Sequence, residues 1–146
     1  MGITIKENAK MKKVFWPMLL LAVLLPVMSI AQTGEAPKSA LTADAQLCTG
    51  VQERMPVGMA ESFGSDVGQV YLWCKITGGS GEMAIKHVWY YQGKEMTSVD
   101  LSIKGSSWRT WSAKKILPEW TGDWSVKILD PNGAVIKELP FKIAAP

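Results

Sequence analysis

Gln69-Val70-Tyr71-Leu72-Trp73-Cys74-Lys75-Ile76-Thr77, followed by Gly78-Gly79-Ser80-Gly81 and then by the run Met83 to Tyr91, is the stretch that decides the fold. Both runs are rich in β-branched and aromatic residues, and the glycine-rich segment between them stops one before the next begins. They read as two successive strands. Working outward, Gly93 in Tyr91-Gln92-Gly93-Lys94 supplies the positive φ of a tight hairpin. Met96 to Lys104 then sets Thr97, Val99, Leu101 and Ile103 against Ser98, Asp100 and Ser102, which is a strand with one wet face. Ser107 to Ile116 makes the next strand, and Pro118 to Gly122 the next loop. Asp123 to Leu129 carries Trp124, Val126 and Ile128 on one side and Asp123, Ser125 and Lys127 on the other. Asp130-Pro131-Asn132-Gly133 is a strong turn signal, because proline presets φ and Asn-Gly tolerates the left-handed region. The last strand, Ala134 to Ile143, contains Pro140, which lacks the ladder donor and so predicts an edge or a break.

Upstream, Ala40 to Arg54 alternates Ala45, Leu47, Thr49 and Val51 as a strand does, although its Ala-rich start also suits a short helix, and Pro56 and Gly58 stop it. The sum is about seven short strands without an amphipathic helix. This predicts an all-β fold, an immunoglobulin-like antiparallel β-sandwich spanning 40–146, with a small β-barrel as the alternative.

Met11-Lys12-Lys13 precedes an apolar run from Val14 to Leu25, then Pro26, then Ser29 and Ala31. Charged start, apolar middle and small residues at the cut describe a secretory signal peptide over 1–31, with Met11 as an alternative start, and 32–39 reads as a flexible tether. An uncleaved anchor is the other reading, but a spanning helix needs about 20 apolar residues and this run is shorter. No stable membrane span is expected after cleavage. The protein is therefore expected to be exported, to the periplasm or cell envelope.

The 146 residues, 47% hydrophobic and 20% charged, suit one globular domain. The net charge of +3 belongs to the leader. Lys6, Lys10, Lys12, Lys13 and Glu7 all precede residue 32, so twelve basic and twelve acidic side chains remain beyond it. Nucleic-acid binding thereby loses its electrostatic basis. One histidine and two cysteines cannot build a standard zinc site, and no metal or cofactor is expected. Export allows Cys48 and Cys74 to pair as a disulfide. The other reading is two buried thiols: alternation places Cys74 with Val70, Leu72 and Ile76, while Cys48 falls out of step with Leu47 and Val51 unless a bulge near Gly50 intervenes.

Beyond the leader stand Trp73, Trp89, Trp108, Trp111, Trp120 and Trp124. Tryptophan in a strand is usually core; Trp120, in a loop beside Pro118 and Gly122, is the one expected to be exposed. Two clusters stand out, His87-Val88-Trp89-Tyr90-Tyr91 and Trp108-Arg109-Thr110-Trp111-Ser112, followed by Gly122-Asp123-Trp124-Ser125-Val126. In the order and spacing of these motifs the chain resembles the bacterial domain-of-unknown-function family 2914. Cys48, Arg54, Pro56 and Phe63 also fit that pattern, and Cys74 is not attributed to it. The resemblance implies an exported or membrane-tethered β-rich domain and supplies no activity.

The candidate ligand-binding residues are His87, Trp89, Trp108, Arg109, Trp111, Ser112 and Trp120. A catalytic reading makes His87 a general base, Ser112 a nucleophile and Asp123 or Glu119 the group orienting the imidazole. Strand geometry opposes it in part, since Arg109 and Trp111 face away from Trp108, Thr110 and Ser112, and no Gly-x-Ser-x-Gly elbow occurs. The structural reading makes His87 a hydrogen-bonded core histidine, with Ser112 or a backbone carbonyl as partner and the polar cluster fixing the pairing of the two strands that carry it. It stacks Arg109 on Trp111 or another ring. The expected function is a non-catalytic envelope module that binds a protein or a ligand. The alternative is a carbohydrate- or cell-wall-binding module using Trp120 with Trp108 or Trp111; a hydrolase using His87 comes third.

Overall fold

The computed structural model describes residues 39–146; the leader over 1–31, and the tether apart from its last residue, lie outside the described residues. Among the described residues no helix occurs and ten strands form: β1 (Thr42–Cys48), β2 (Gly50–Gln52), β3 (Met55–Val57), β4 (Ser62–Gly64), β5 (Gln69–Thr77), β6 (Glu82–Tyr91), β7 (Lys94–Lys104), β8 (Ser107–Lys115), β9 (Gly122–Leu129) and β10 (Val135–Ala144). β1-β5-β8 make one sheet and β4-β10-β9-β6-β7 the other, with β2 and β3 as a separate hairpin. All pairings are antiparallel except the short one of β4 with β10. Leaving out β2, β3 and β4, the order β1-β5-β8 over β10-β9-β6-β7 is that of an immunoglobulin-like sandwich. Neither sheet closes on itself, so the barrel alternative falls.

Alternation explains the two layers. Leu72, Cys74 and Ile76 of β5 and Ala45 and Leu47 of β1 point inward from the three-stranded sheet. Ile85 and Trp89 of β6, Ile103 of β7, and Trp124, Val126 and Ile128 of β9 point inward from the other, and all of these join one buried cluster. Aromatic edges and faces tie together the part of it around β10: Trp89 meets Phe141 at 6.1 Å edge-on, Phe141 meets Phe63 at 6.1 Å, and Trp124 stacks on Phe141 at 5.9 Å. Full burial of each large side chain contributes roughly 1.5–3 kcal/mol, which is how a domain without long helices holds together.

The glycine-rich segment after β5 carries the chain from one sheet to the other, and Gly105-Ser106 carries it back. These two crossings touch: the Gly78 N–H donates to Ser106 O at 3.0 Å, and a Cβ on Gly79 would run into Gly105 O. Backbone meets backbone there, which only glycine permits. Gln92 and Gly93 both have positive φ, the requirement of the two-residue turn that joins β6 to β7.

Pro140 sits where its missing donor does least harm. The Lys142 N–H points toward Glu61 O and β4, and groups two residues apart on a strand point the same way. Pro140 therefore turns its ring nitrogen away from β9, to a side where β4 has already ended at its pairing with Lys142. β10 is thus an edge over most of its length and interior over its last three residues.

Candidate functional site

His87 projects from the middle of β6 into the core, where burial is complete: its relative exposure is 0%. The register places it opposite Ile128 of β9 and Val99 of β7 within its own sheet. Its polar partners come from the facing sheet. Nδ1 lies 2.7 Å from Ser112 Oγ of β8, and Nε2 lies 3.4 Å from Cys74 Sγ of β5. The indole N–H of Trp89, two residues along β6, donates to the same Ser112 Oγ at 3.3 Å. The cluster therefore joins the two sheets across the core. It does not fix the pairing of β6 with β8 that the sequence suggested, because these strands lie in different sheets.

Hydrogen-bond accounting assigns the protons. Trp89 can only donate, so Ser112 Oγ accepts from it. The serine hydroxyl then donates to Nδ1, the imidazole carries its proton on Nε2, and Nε2–H points at the sulfur of Cys74. The opposite tautomer would leave the hydroxyl hydrogen without an acceptor, whereas this one leaves over only a thiol hydrogen, a much weaker donor. No buried side-chain nitrogen or oxygen among the described residues lacks a partner. Burial pushes His87 down from 6.5 to about 4 and the Cys74 thiol up to about 12. Both groups are thus neutral across the physiological range, and no thiolate–imidazolium pair forms.

The triad geometry is present only in part. Ser112 and His87 are within hydrogen-bond reach, but the far ring nitrogen meets a thiol where a triad places a carboxylate. Asp123 is exposed and pairs with Lys142 at 3.5 Å; Glu119 is exposed in the loop after β8. Ser112 itself is only 7% exposed. Two surface grooves, of about 550 and 450 Å³, lie along β1–β10 and along β4–β10–β9, and neither His87 nor Ser112 lines them.

The remaining candidates divide between the faces of β8. Trp108 is half-buried against the core, and the guanidinium over its ring, at 5.7 Å, comes from Arg54. Arg109 is exposed on the outer face, so the expected stacking of Arg109 on a ring gives way to Arg54, a residue the sequence did not single out for this. Trp111 also points outward and, at 37%, is the one indole among the described residues counted as exposed. Trp120 is half-buried, against expectation. Its ring lies 6.0 Å from Trp124 and 6.4 Å from Tyr91, its carbonyl accepts from Trp124 Nε1 at 3.0 Å, and Lys114 Nζ covers it at 5.1 Å. A loop position gave no sign of this, because the partners come from β6, β8 and β9.

The disulfide candidate is corrected. Both cysteines are free and buried. Cys48 pairs in register with Tyr71 and Cys74 with Ala45. They stand three ladder positions apart, roughly 10 Å, on opposite faces of the sheet, beyond the ~7 Å a disulfide spans. The bulge that would have brought them together does not form: the chain turns at Thr49 and enters the hairpin of β2 and β3. That hairpin covers the outer face, where Trp73 Nε1 donates to Arg54 O at 2.9 Å and Cys48 Sγ to Tyr71 O at 3.8 Å. Burial raises the Cys48 thiol pKa. Glu53 and Arg54 at its tip both hold positive φ, 50° and 63°, without being glycine.

Comparison with curated proteins gives no match. Among solved structures, the chain is similar to the CARDB domain of the PF1109 protein from Pyrococcus furiosus, described in complex with di-metal ions. The identity is 13% and the TM-score 0.41, over 73% of this chain and 87% of that one. Among the described residues no group of three or more His, Cys, Asp or Glu side chains is placed to hold a metal. Cys48, Arg54, Pro56 and Phe63 lie before the segment that a family comparison matches. That segment holds the His87, Arg109 and Trp124 motifs together: residues 82–143 match the family described as "Protein of unknown function (DUF2914)".

Proposed function

We propose that this protein is a non-catalytic binding module of the cell envelope, exported on the leader read in 1–31, which engages a protein partner through its outer surface. One observation carries the reading. The side chains best suited to acid–base or nucleophilic work, His87, Ser112 and Cys74, are spent on each other in the dry layer between the sheets. A base held at about 4 and a thiol held at about 12 are poor reagents at neutral pH. Burial also denies them a substrate. What the surface offers is recognition chemistry: an exposed arginine, a part-exposed tryptophan and open strand edges at β7 and β8.

The carbohydrate reading asks for broad, coplanar indoles. Trp108 and Trp111 lie on opposite faces of β8, and Trp120 is packed against Trp124 and Tyr91. Protein recognition is the better fit. The test is cross-linking of the full chain in envelope preparations, with Ser112→Ala beside the parent. A defined protein adduct kept by the variant supports the reading. An ester- or amide-hydrolysing activity that disappears with Ser112→Ala in a still-folded chain would replace it with the hydrolase.

A further inference from the structure

Register fixes what the outer face of the three-stranded sheet displays. Asp44, Lys75 and Arg109 form one cross-strand row, and Gln46, Trp73 and Trp111 the next. Lys75 and Arg109 are direct neighbours of like charge, an arrangement that destabilises a sheet. The two ion pairs among the described residues, Lys86–Asp100 and Lys142–Asp123, are both on the other sheet, so no described carboxylate pairs with either cation within 4 Å. Asp44 flanks Lys75 on the side away from Arg109. Arg54, held over Trp108 by the strained hairpin tip, brings a third cation to the same end of β8, with Glu53 beside it in the chain.

Trp111 lies directly across from Trp73, which the hairpin of β2 and β3 covers, so the exposed part of its ring borders that hairpin. A part-covered indole next to an arginine is the composition of a protein-binding hot spot, not of an open sugar platform. Arg109 and Trp111 are two residues apart on one face, roughly 7 Å. That is also the spacing of alternate side chains in an extended peptide.

From these observations, and resting on the reading of the protein as a protein-binding module, we infer that Lys75, Arg109 and Trp111 form the recognition site for an extended acidic segment of a partner, in which a carboxylate and an apolar side chain stand two residues apart on one face. Arg109 takes the carboxylate, with Lys75 adding charge, and Trp111 takes the apolar residue. The like-charge pair Lys75–Arg109 is tolerated in the free protein and neutralised in the complex.

The test is titration of the full chain with a synthetic peptide of repeated Glu-Ser-Leu-Ser, which sets Glu and Leu two residues apart on one face, followed by tryptophan fluorescence at two salt concentrations. The same peptide with Lys in place of Glu and a carboxylated polysaccharide are run in parallel. The acidic peptide is expected to bind, more weakly at high salt, and Arg109→Glu is expected to reduce affinity about tenfold or more, as loss of a charge-assisted contact does. The same substitution places opposite charges across from each other, so the melting midpoint should hold or rise. Binding unchanged in Arg109→Glu, equal binding of the Lys peptide, binding of the polysaccharide alone, or no binding at all would each overturn the inference. A photo-crosslinker at Ser107, exposed beside Arg109 on the same outer face of β8, and another at Ser98, on the outer face of the other sheet, separate the two levels. Partner adducts from Ser98 and none from Ser107 would sink this site and leave the binding module standing; adducts from neither would count against both.

Discussion

Ser112→Ala removes one oxygen from the core and leaves two buried groups without a partner, so its effect is worked directly from the contacts. Trp89 loses the acceptor of its indole N–H at 3.3 Å, and His87 Nδ1 loses its donor at 2.7 Å. Alanine fits the same space, so overpacking is absent and the change is almost purely one of hydrogen bonding. Each stranded polar group costs about 1–3 kcal/mol; the longer Trp89 contact falls low in that range, and the total comes to about 2–4 kcal/mol. That is a large share of the ~5–15 kcal/mol a domain has to lose. Urea unfolding followed by tryptophan fluorescence measures it. A double-mutant cycle with His87→Phe isolates the pair, because once the ring nitrogens are gone Ser112→Ala strands only Trp89. The coupling is expected to be about 1 kcal/mol or more. A Ser112→Ala cost below about 0.5 kcal/mol, the scale of an ordinary surface substitution, or additive behaviour in the cycle, would refute the claim that this serine bridges the sheets.

The only histidine in the chain also makes stability depend on pH. Its folded pKa, about 4, lies below its ordinary 6.5, so its contribution is complete above pH 6.5 and is lost as the pH falls toward 4. The loss is about 2 kcal/mol by pH 5 and about 3 kcal/mol in full; unfolding of the parent and of His87→Gln at pH 7.5 and pH 5 should show the gap between them closing by about 2 kcal/mol, whereas parallel curves would contradict it. Both cysteines should resist a thiol reagent in the native chain and react, two per chain, in denaturant; a chain that stays unreactive when unfolded holds a disulfide after all. Gly79→Ala drives a methyl group against Gly105 O and should destabilise by about 1–3 kcal/mol, checked by the thermal midpoint against a control such as Ser80→Ala.

Most of the sandwich was legible in the sequence, because alternation is a local signal. β5 runs from Gln69 to Thr77 as read, and β6, β7 and β9 begin one or two residues earlier than their patterns suggest. The short strands β2, β3 and β4 were not legible. Three residues carry too little periodicity, and the hairpin of β2 and β3 turns on Glu53-Arg54, where no Gly or Asn announces positive φ. The motifs that hold His87 and Ser112 are visible in the sequence, and alternation separates Arg109 from Ser112. Cys74 as the third member of that cluster was hidden, since its contact depends on how the sheets are stacked and not on any spacing along the chain. The same holds for Trp120, whose cover joins Lys114 and Trp124 from the strands flanking its loop to Tyr91 of β6, and for Lys75, which gains meaning only from its register with Arg109.

At the centre of the protein is an imidazole that is sealed, neutral and bonded on both nitrogens. A nitrogen-15 NMR titration of the full chain observes it without ambiguity, since the protein has one histidine. The expected spectrum shows the proton on Nε2, with shifts flat from pH 8 to about 5 and a transition centred at about 4. A midpoint near 6.5, or a ring that titrates with a neighbouring thiol, would mean that His87 reaches solvent or works as a base, and the non-catalytic reading would fall with it.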